Sequence, residues 1–211
     1  MKEQILESEG ILLILSSPSG AGKTTISHNL LKQHNDLVKS ISVTTRVPRF
    51  GEIEGKDYFF VTEEKFYSMC KSGDMLEYAK VFNNLYGIPK DFIEENIKKG
   101  ISVLLNIDWQ GAFYLSKIIK KNVVTIFILP PSMSELKIRL DNRNSDEEDV
   151  IKHRLIEAQN EIKKCFKYDY IIVNYDINKS TTEISSILNA EKLKTRRKAN
   201  LKNFINNILV S

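Results

Sequence analysis

A glycine-rich segment near the amino terminus contains the residue types that bind phosphate. The sequence Ser17-Pro-Ser-Gly-Ala-Gly-Lys-Thr24 ends in the Gly-Lys-Thr of a phosphate-binding loop, although Ser17 stands where the strict pattern has glycine. In such a loop the backbone N–H groups of Gly20 to Thr24 hold phosphates, Lys23 reaches the β- and γ-phosphates, and the Thr24 hydroxyl binds Mg²⁺. The alternative is an ordinary glycine-rich turn between a strand and a helix. The loop by itself indicates only a protein that binds phosphate.

The arginines form three groups in a chain that otherwise uses lysine. They occur at positions 46 and 49, at 139, 143 and 154, and at 196 and 197. A guanidinium group binds phosphate through two parallel hydrogen bonds, which a lysine ammonium cannot do. Arg46 and Arg49 lie beside Pro48 on a predicted loop, so they could hold one phosphate together with the Tyr58 hydroxyl. A basic surface turn is the alternative.

The composition excludes several classes of protein. The chain has 211 residues, of which 42% are hydrophobic, and this apolar content excludes disorder over the whole chain. The formal net charge is +4, but the segment 190–211 alone holds six basic residues and one acidic residue. We interpret this excess as the solvated face of a terminal helix and predict no nucleic-acid partner. No apolar run approaches the ~18 residues that span a bilayer, so no membrane partner is predicted.

The cysteines and histidines predict neither a disulfide framework nor a metal site. Cys70 and Cys165 are far apart in the sequence, and His28, His34 and His153 lack the spacing of metal ligands. The acidic amino terminus does not resemble a secretory signal. We therefore expect two reduced thiols in a cytoplasmic protein.

Short apolar runs alternate with helical patterns along the chain. Strands are predicted at 11–16, 40–44, 57–62, 76–82, 101–107, 123–129 and 170–173. Helices are predicted at 23–32, 63–71, 91–99, 109–120 and 147–164, after the N-cap Ser132, and as one long helix from 179 to about 209. The alternation predicts an α/β fold with a mostly parallel sheet covered by helices on both faces. Segments 45–90 and 132–162 interrupt it and are predicted to be insertions.

Several further motifs follow the glycine-rich loop in an order that resembles the guanylate kinase family. They are Ser42-x-Thr-Thr-Arg-x-Pro-Arg-x-Gly-Glu, Tyr58, Glu77-Tyr78, Tyr86-Gly87 and Ile107-Asp108-Trp109-Gln110-Gly111. The resemblance extends from about residue 10 to residue 200. It implies a P-loop NTPase-type core and Mg²⁺-dependent transfer of the ATP γ-phosphoryl group to GMP, giving ADP and GDP in purine nucleotide metabolism. With dGMP as acceptor the products would be ADP and dGDP.

The resemblance also implies a division of the chain. The core would comprise 1–44, which contains the phosphate-binding loop, 91–131, and 163–211, which ends in the C-terminal helix. The insertion at 45–90 would bind GMP, and the insertion at 132–162 would form a small lid that closes over ATP. The oligomeric state is not determined by the sequence.

By resemblance, the GMP site contains eight residues of this chain. Arg46, Arg49, Tyr58 and Tyr86 match positions that hold the GMP phosphate, and Ser42 matches a hydroxyl near guanine O6. Glu77 and Asp108 match carboxylates that accept hydrogen bonds from guanine N1–H and the 2-amino group, and Gly87 lies beside Tyr86. Asp108 also suits the N-cap of the following helix, and both roles are compatible. The family usually has Ser or Thr at position 88 and Asp at position 106, where this chain has Ile88 and Asn106.

The ATP site and the lid follow from the same resemblance. The residues implied for ATP binding are Ser17, Pro18, Ser19, Gly20, Ala21, Gly22, Lys23, Thr24, Thr25 and Asn174, with Asn174 near the adenine. Those implied for catalysis are Lys23, Arg46, Arg139, Arg143 and Arg154, the last three from the lid. A surface pair of basic residues four apart on a helix is the alternative for Arg139 and Arg143. No general base is assigned, because the attacking GMP phosphate oxygen is already an anion.

Two other functional classes are weighed against this hypothesis. Guanylate-kinase-like domains that bind protein partners without catalysis typically lack the loop lysine and the lid arginines, which this chain retains. Ser17, Ile88 and Asn106 favour that alternative. A nucleic-acid binder is the second alternative, and it rests on the net charge alone.

Overall fold

The computed structural model describes residues 6–49, 51–81, 83–119, 121–142 and 148–210. Its strands, in chain order, are β1 Leu12–Ser16, β2 Leu37–Lys39, β3 Ser42–Thr44, β4 Tyr58–Phe60, β5 Met75–Val81, β6 Asn84–Pro89, β7 Ser102–Asn106, β8 Val123–Leu129 and β9 Tyr170–Val173. Its helices are α1 Lys23–Gln33, α2 Glu63–Ser72, α3 Lys90–Lys98, α4 Trp109–Ile118, α5 Met133–Asp141, α6 Glu148–Ile162, α7 Ile177–Leu193 and α8 Leu201–Val210.

A five-stranded parallel sheet forms the centre of the fold, in the order β2-β7-β1-β8-β9. Every residue of β1 is buried, because successive side chains point to opposite faces and both faces are covered. Leu13 and Leu15 pack with α1 and α7 on one face. Leu12 and Ile14 pack with α3 and α4 on the other. The predicted parallel sheet with helices on both faces is confirmed.

A second sheet lies within the region predicted as the first insertion and extends three residues before it. Its four strands have the order β4-β3-β6-β5, with β3 and β4 parallel and the other pairs antiparallel. Its own small core contains Val43, Phe66 and Leu85. The strands predicted at 57–62 and 76–82 correspond to β4 and β5, whereas β2 and β6 were not predicted.

The carboxyl-terminal region differs from its prediction. In place of one helix from 179 to about 209, α7 ends at Leu193 and α8 begins at Leu201, with a short 3₁₀ turn over Thr195–Arg197 between them. The backbone of this turn pairs with the amino-terminal segment, since the N–H of Glu9 donates to the carbonyl of Arg197 and the N–H of Ala199 donates to the carbonyl of Glu7.

The interpretation of the basic tail as a solvated face is wrong for Arg197. Its side chain is fully buried, and its Nη1 donates to Glu191 Oε2 at 2.8 Å. Glu191 is also buried and accepts a hydrogen bond from the hydroxyl of Tyr170 at 2.6 Å. This ion pair therefore stabilises the junction between α7 and the turn, while Arg196 and Lys202 are exposed.

Two simple findings concern the surface and the thiols. Within the described ranges, no helix has the length and apolar character needed to cross a membrane. Cys70 and Cys165 are both free thiols, the second of them buried.

Candidate active site

The phosphate-binding loop connects β1 to α1 at the carboxyl edge of the parallel sheet. Gly20 and Gly22 adopt left-handed backbone conformations with φ of +90° and +98°, which residues with a Cβ rarely adopt. Gly22 is the N-cap of α1 and supplies no side-chain cap, and the first turn of α1 contains no acidic residue. The first N–H groups of α1 therefore have no competing side-chain cap and can bind an anion.

Asn174 holds this loop from the side of β9. Its Nδ2 donates to the carbonyl of Ala21 at 2.8 Å, and its Oδ1 accepts from the Ser180 hydroxyl at 3.1 Å. The side chain is only 1% exposed, and a Cβ on Gly22 would lie 2.4 Å from its Nδ2. Asn174, expected near the adenine, is thus placed against the loop backbone with both polar atoms engaged.

One cavity contains most of the residues expected to bind ATP. Seven of the ten line it, namely Ser17, Pro18, Ser19, Gly20, Gly22, Lys23 and Thr24, together with Asp108 and Glu161. Ala21, in the same loop, is buried, Thr25 is exposed on the first turn of α1, and neither lines the cavity.

Lys23 and Glu161 carry opposite charges toward this cavity. Burial lowers the pKa of the Lys23 ammonium, against the attraction of Glu161 and Asp108, which raises it. Burial raises the pKa of the Glu161 carboxyl to about 7, although Lys23 opposes the shift. The cavity wall thus combines one ammonium with two carboxylates. The negative charge of a bound phosphate would act on all three groups.

The residues at this cavity fit a Mg²⁺ ion that arrives with a nucleotide. Mg²⁺ keeps several waters and usually takes one or two protein oxygen ligands besides phosphate oxygens. The Thr24 hydroxyl is exposed at the loop, and the carboxylates of Asp108 and Glu161 line the same cavity. Across the described residues, no group of three or more His, Cys, Asp or Glu side chains could hold a metal by itself.

Asp108 lies where two cavities meet. The preceding strand β7 pairs with β1 in parallel, so the ends of both strands lie at one edge of the sheet. The Asp108 Oδ1 accepts from the N–H of Gly111 at 3.0 Å, which confirms the predicted N-cap of α4. Asp108 lines the phosphate cavity and also a second cavity toward the four-stranded sheet. Asn106, two residues earlier, accepts from the Ser27 hydroxyl at 2.9 Å.

The second cavity collects six of the eight residues expected to bind GMP. These are Ser42, Tyr58, Glu77, Tyr86, Gly87 and Asp108, and Ile88 lies among the other residues of the lining. Glu77 is half-buried, and burial, followed by the neighbouring Asp108 charge, raises the pKa of its carboxyl. In the described part of the chain, the Glu77 carboxylate accepts no hydrogen bond and forms no ion pair. Its oxygens lie 3.4 Å from where a Cβ on Gly111 would stand, so the small glycine leaves the carboxylate facing the cavity.

Arg46 and Arg49 lie on the loop beside this cavity and do not line it directly. The Nη2 of Arg46 donates to Oε1 and Oε2 of Glu52 at 2.7 and 2.9 Å, and this bond is the main reason that the pKa of Arg46 is raised. Its guanidinium carbon lies 5.3 Å from the centre of the Tyr58 ring, which contacts the Tyr86 ring. Arg49 is exposed, and its backbone N–H donates to the same Glu52 carboxylate at 2.7 Å. Glu52 therefore orders the arginine loop.

The lid arginines are only partly described. The Arg139 Nε donates to Glu135 at 2.9 Å and its Nη2 donates to the carbonyl of Asn174 at 3.3 Å, so Arg139 reaches the end of β9 from α5. Arg139 does not line the phosphate cavity. Arg154 is half-buried on α6, and Arg143 lies outside the described residues.

Glu161 was not predicted as a site residue, although the sequence contains a signal for it. Glu161 follows Ile151 and Ala158 by ten and three residues on α6, and both of these are buried. An acidic residue on the buried side of an amphipathic helix is uncommon and suggests a specific role. No local motif connects Glu161 to Lys23, because only the packing of α6 brings them to one cavity.

Comparison with known proteins gives a consistent result. A family model described as guanylate kinase matches residues 9–191. The chain is 68% identical over 189 residues to the guanylate kinase of Wolbachia pipientis, covering 90% of this chain and 94% of that protein. It is 60% identical to the guanylate kinase of Ehrlichia chaffeensis, covering 97% and 98%. A crystal structure of guanylate kinase from Anaplasma phagocytophilum superimposes with a TM-score of 0.79 at 45% identity, covering 95% of this chain and 96% of that one.

Proposed function

Because the chain belongs to the guanylate kinase family, we propose that it transfers the γ-phosphoryl group of ATP to GMP, giving ADP and GDP. The observation that supports this most directly is the position of Asp108, which lines both the phosphate cavity and the cavity beside the four-stranded sheet. A donor phosphate in the first and an acceptor nucleotide in the second would meet at this residue. Such proximity is the main requirement of phosphoryl transfer.

The proposed division of labour follows the predicted segments. The core segments 1–44, 91–131 and 163–211 contain the parallel sheet and the phosphate-binding loop. Segment 45–90 contains three strands of the second sheet and the arginine loop, and we assign GMP binding to it. Segment 132–162 contains α5 and α6, and we assign closure over ATP to it.

The donor side binds the triphosphate chain of ATP. The amides of Gly20 to Thr24 and the α1 N-terminus would bind the phosphates, and Lys23 would bind the β- and γ-oxygens. Mg²⁺, held by the Thr24 hydroxyl with phosphates and water, would neutralise charge on the transferred group. We assign Asn174 an indirect role, since it supports the loop through the carbonyl of Ala21.

In the second cavity, two carboxylates would recognise the guanine base of GMP. Glu77 and Asp108 would accept hydrogen bonds from N1–H and the 2-amino group, and the Ser42 hydroxyl would approach O6. Adenine offers an acceptor at N1 and no 2-amino group, so the half-buried Glu77 would be left unpaired and repelled. The GMP phosphate would lie at Arg46, Arg49, Tyr58 and Tyr86.

Closure of the lid would complete the charge neutralisation. Arg139 now bonds Glu135 and the carbonyl of Asn174, and it would move from these partners to the ATP phosphates together with Arg143 and Arg154. Exclusion of water directs the phosphoryl group to GMP. No general base is needed. The cytoplasmic location and the absence of nucleic-acid and membrane partners stay predictions.

Alanine substitutions in each half of the site test this function. Lys23→Ala and Arg46→Ala should each abolish GMP-dependent ADP release in a coupled assay, because one removes the triphosphate ligand and the other the GMP phosphate ligand. Lys32→Ala, at the far end of the same helix as Lys23, should turn over like the wild type. Normal turnover by Lys23→Ala or Arg46→Ala would refute the assignment.

A further inference from the structure

Glu161 is a carboxylate in the phosphate cavity that no role above accounts for. It lies in the last turn of α6, is half-buried, and lines the cavity with Lys23, Thr24 and Asp108. Among the described residues, its side-chain carboxylate has no hydrogen-bond donor and no ion-pair partner. Glu157, one turn earlier on the same helix, instead lies 3.4 Å from His153 and is exposed.

An unpaired carboxylate is an unexpected group beside a site for phosphates. The charged side chains that line this cavity are Lys23, Asp108 and Glu161, so their formal charges sum to one negative charge when all three are ionised. Asp108 is exposed and already accepts a hydrogen bond from the N–H of Gly111. Glu161 is therefore the carboxylate whose lone pairs remain free for something that enters the cavity.

We propose that Glu161 makes the phosphate cavity selective for metal-bound nucleotide over metal-free nucleotide. A metal-free triphosphate brings only negative charge toward Glu161 and is repelled. A triphosphate carrying Mg²⁺ brings two positive charges and coordinated water, whose O–H groups can donate to the free carboxylate oxygens. Glu161 thus disfavours metal-free ATP and favours Mg·ATP.

This inference rests on the proposed function, because it assumes that ATP binds at the glycine-rich loop. The quantity that tests the inference is the metal preference, defined as the dissociation constant of metal-free ATP divided by that of Mg·ATP. Removing one partly screened charge should change this ratio by about tenfold. The change arises from tighter binding of metal-free ATP together with weaker binding of Mg·ATP.

Isothermal titration calorimetry on the full chain measures the ratio, with ATP in excess EDTA and ATP in saturating Mg²⁺. The titrations are run at pH 8.5, where the Glu161 carboxyl is ionised, because burial raises its pKa to about 7. Glu161→Gln should lower the metal preference about tenfold, whereas Glu161→Asp, which keeps the charge, should retain most of it. Glu157→Gln is the matched control on the same helix and should behave as the wild type. Thermal melts check that each variant is folded, and Glu161→Ala is the second neutral variant should Glu161→Gln not fold.

Two results would overturn the proposal. One is an unchanged metal preference in both neutral variants, and the other is weaker binding of metal-free ATP, which would mean that Glu161 supports the loop itself. GMP-dependent ADP release by the wild type is measured in parallel. Absence of that release contradicts the proposed function, whereas normal release with an unchanged ratio contradicts only the role of Glu161.

Discussion

Glu77→Gln separates guanine recognition from folding. The carboxylate is half-buried, faces the second cavity and has no partner among the described residues. As an acceptor of two guanine donors it would make two charge-assisted hydrogen bonds, each worth about 1.5–3 kcal/mol. A glutamine amide keeps one neutral acceptor oxygen, but its NH₂ group would face one of the two guanine N–H donors. The loss should be about 3–4 kcal/mol, which lowers kcat/KM for GMP by a factor on the order of 10² to 10³.

The same substitution should not weaken the fold at neutral pH. Burial and the Asp108 charge raise the pKa of Glu77 in the folded chain, so the folded state retains its proton to higher pH than the unfolded state. Stability therefore falls as the pH rises from the ordinary carboxyl range through the raised pKa, and it stays lower above that pKa. Glutamine carries no such penalty, so Glu77→Gln should melt at or above the wild-type temperature at pH 8.

Two assays check this prediction together. A coupled ADP assay gives kcat/KM for GMP, and thermal melts are recorded at pH 8 and pH 5, where the wild type should recover relative to the variant. Glu64→Gln, an exposed carboxylate on α2, is the control for a change of net charge. A kcat/KM for GMP within threefold of the wild-type value would refute the role of Glu77. A loss of both kcat/KM and melting temperature would refute the reasoning about its charge.

Further predictions concern the loop, the buried ion pair and the arginine loop. Gly22→Ala should lower the melting temperature and should weaken ATP binding about tenfold or more. The reasons are that a Cβ would lie 2.4 Å from Asn174 Nδ2 and that the φ of Gly22 is +98°. Thermal melts and calorimetry measure the two effects, and unchanged ATP binding would contradict the prediction. Arg197→Met should lower the free energy of unfolding by about 2–3 kcal/mol, because Glu191 loses its buried partner at Oε2 and keeps only Lys194 and Tyr170 at Oε1. Adding Glu191→Gln should restore part of this loss. Urea titrations measure both changes, and equal stability of the single variant would count against a structural ion pair. Arg46→Lys should raise KM for GMP about tenfold or more and KM for ATP by less, because lysine cannot bind phosphate through two parallel hydrogen bonds. Steady-state kinetics measure both constants, and an equal rise in both would contradict a role of Arg46 in binding the GMP phosphate.

The sequence predicted best the parts that depend on neighbouring residues. The phosphate-binding loop, the Asp108 cap and the buried strand β1 each follow from a few consecutive residues, and the structure contains all three. The second sheet was predicted less completely. Strand β6 contains Gly87 and Pro89, which usually interrupt strands, and it forms through pairing with β3 and β5 on either side.

Three other features depend on contacts that no motif of consecutive residues shows. The residues that separate α7 from α8 have ordinary helix propensity, and the break arises because the carbonyl of Arg197 accepts from the N–H of Glu9 at 2.9 Å. Burial of Arg197 likewise requires Glu191 as its partner. Glu161 reaches the phosphate cavity only through the packing of α6, so a search for consecutive motifs does not find it.

The acceptor specificity of ADP release tests the central claim most directly. The wild-type chain is supplied with ATP and Mg²⁺ and with GMP, dGMP, AMP, CMP and UMP in turn. We expect rapid ADP release with GMP, release with dGMP, and only background release with the other three, because only guanine offers two donors to Glu77 and Asp108. Equal release with all five nucleotides, or none with GMP, would contradict it.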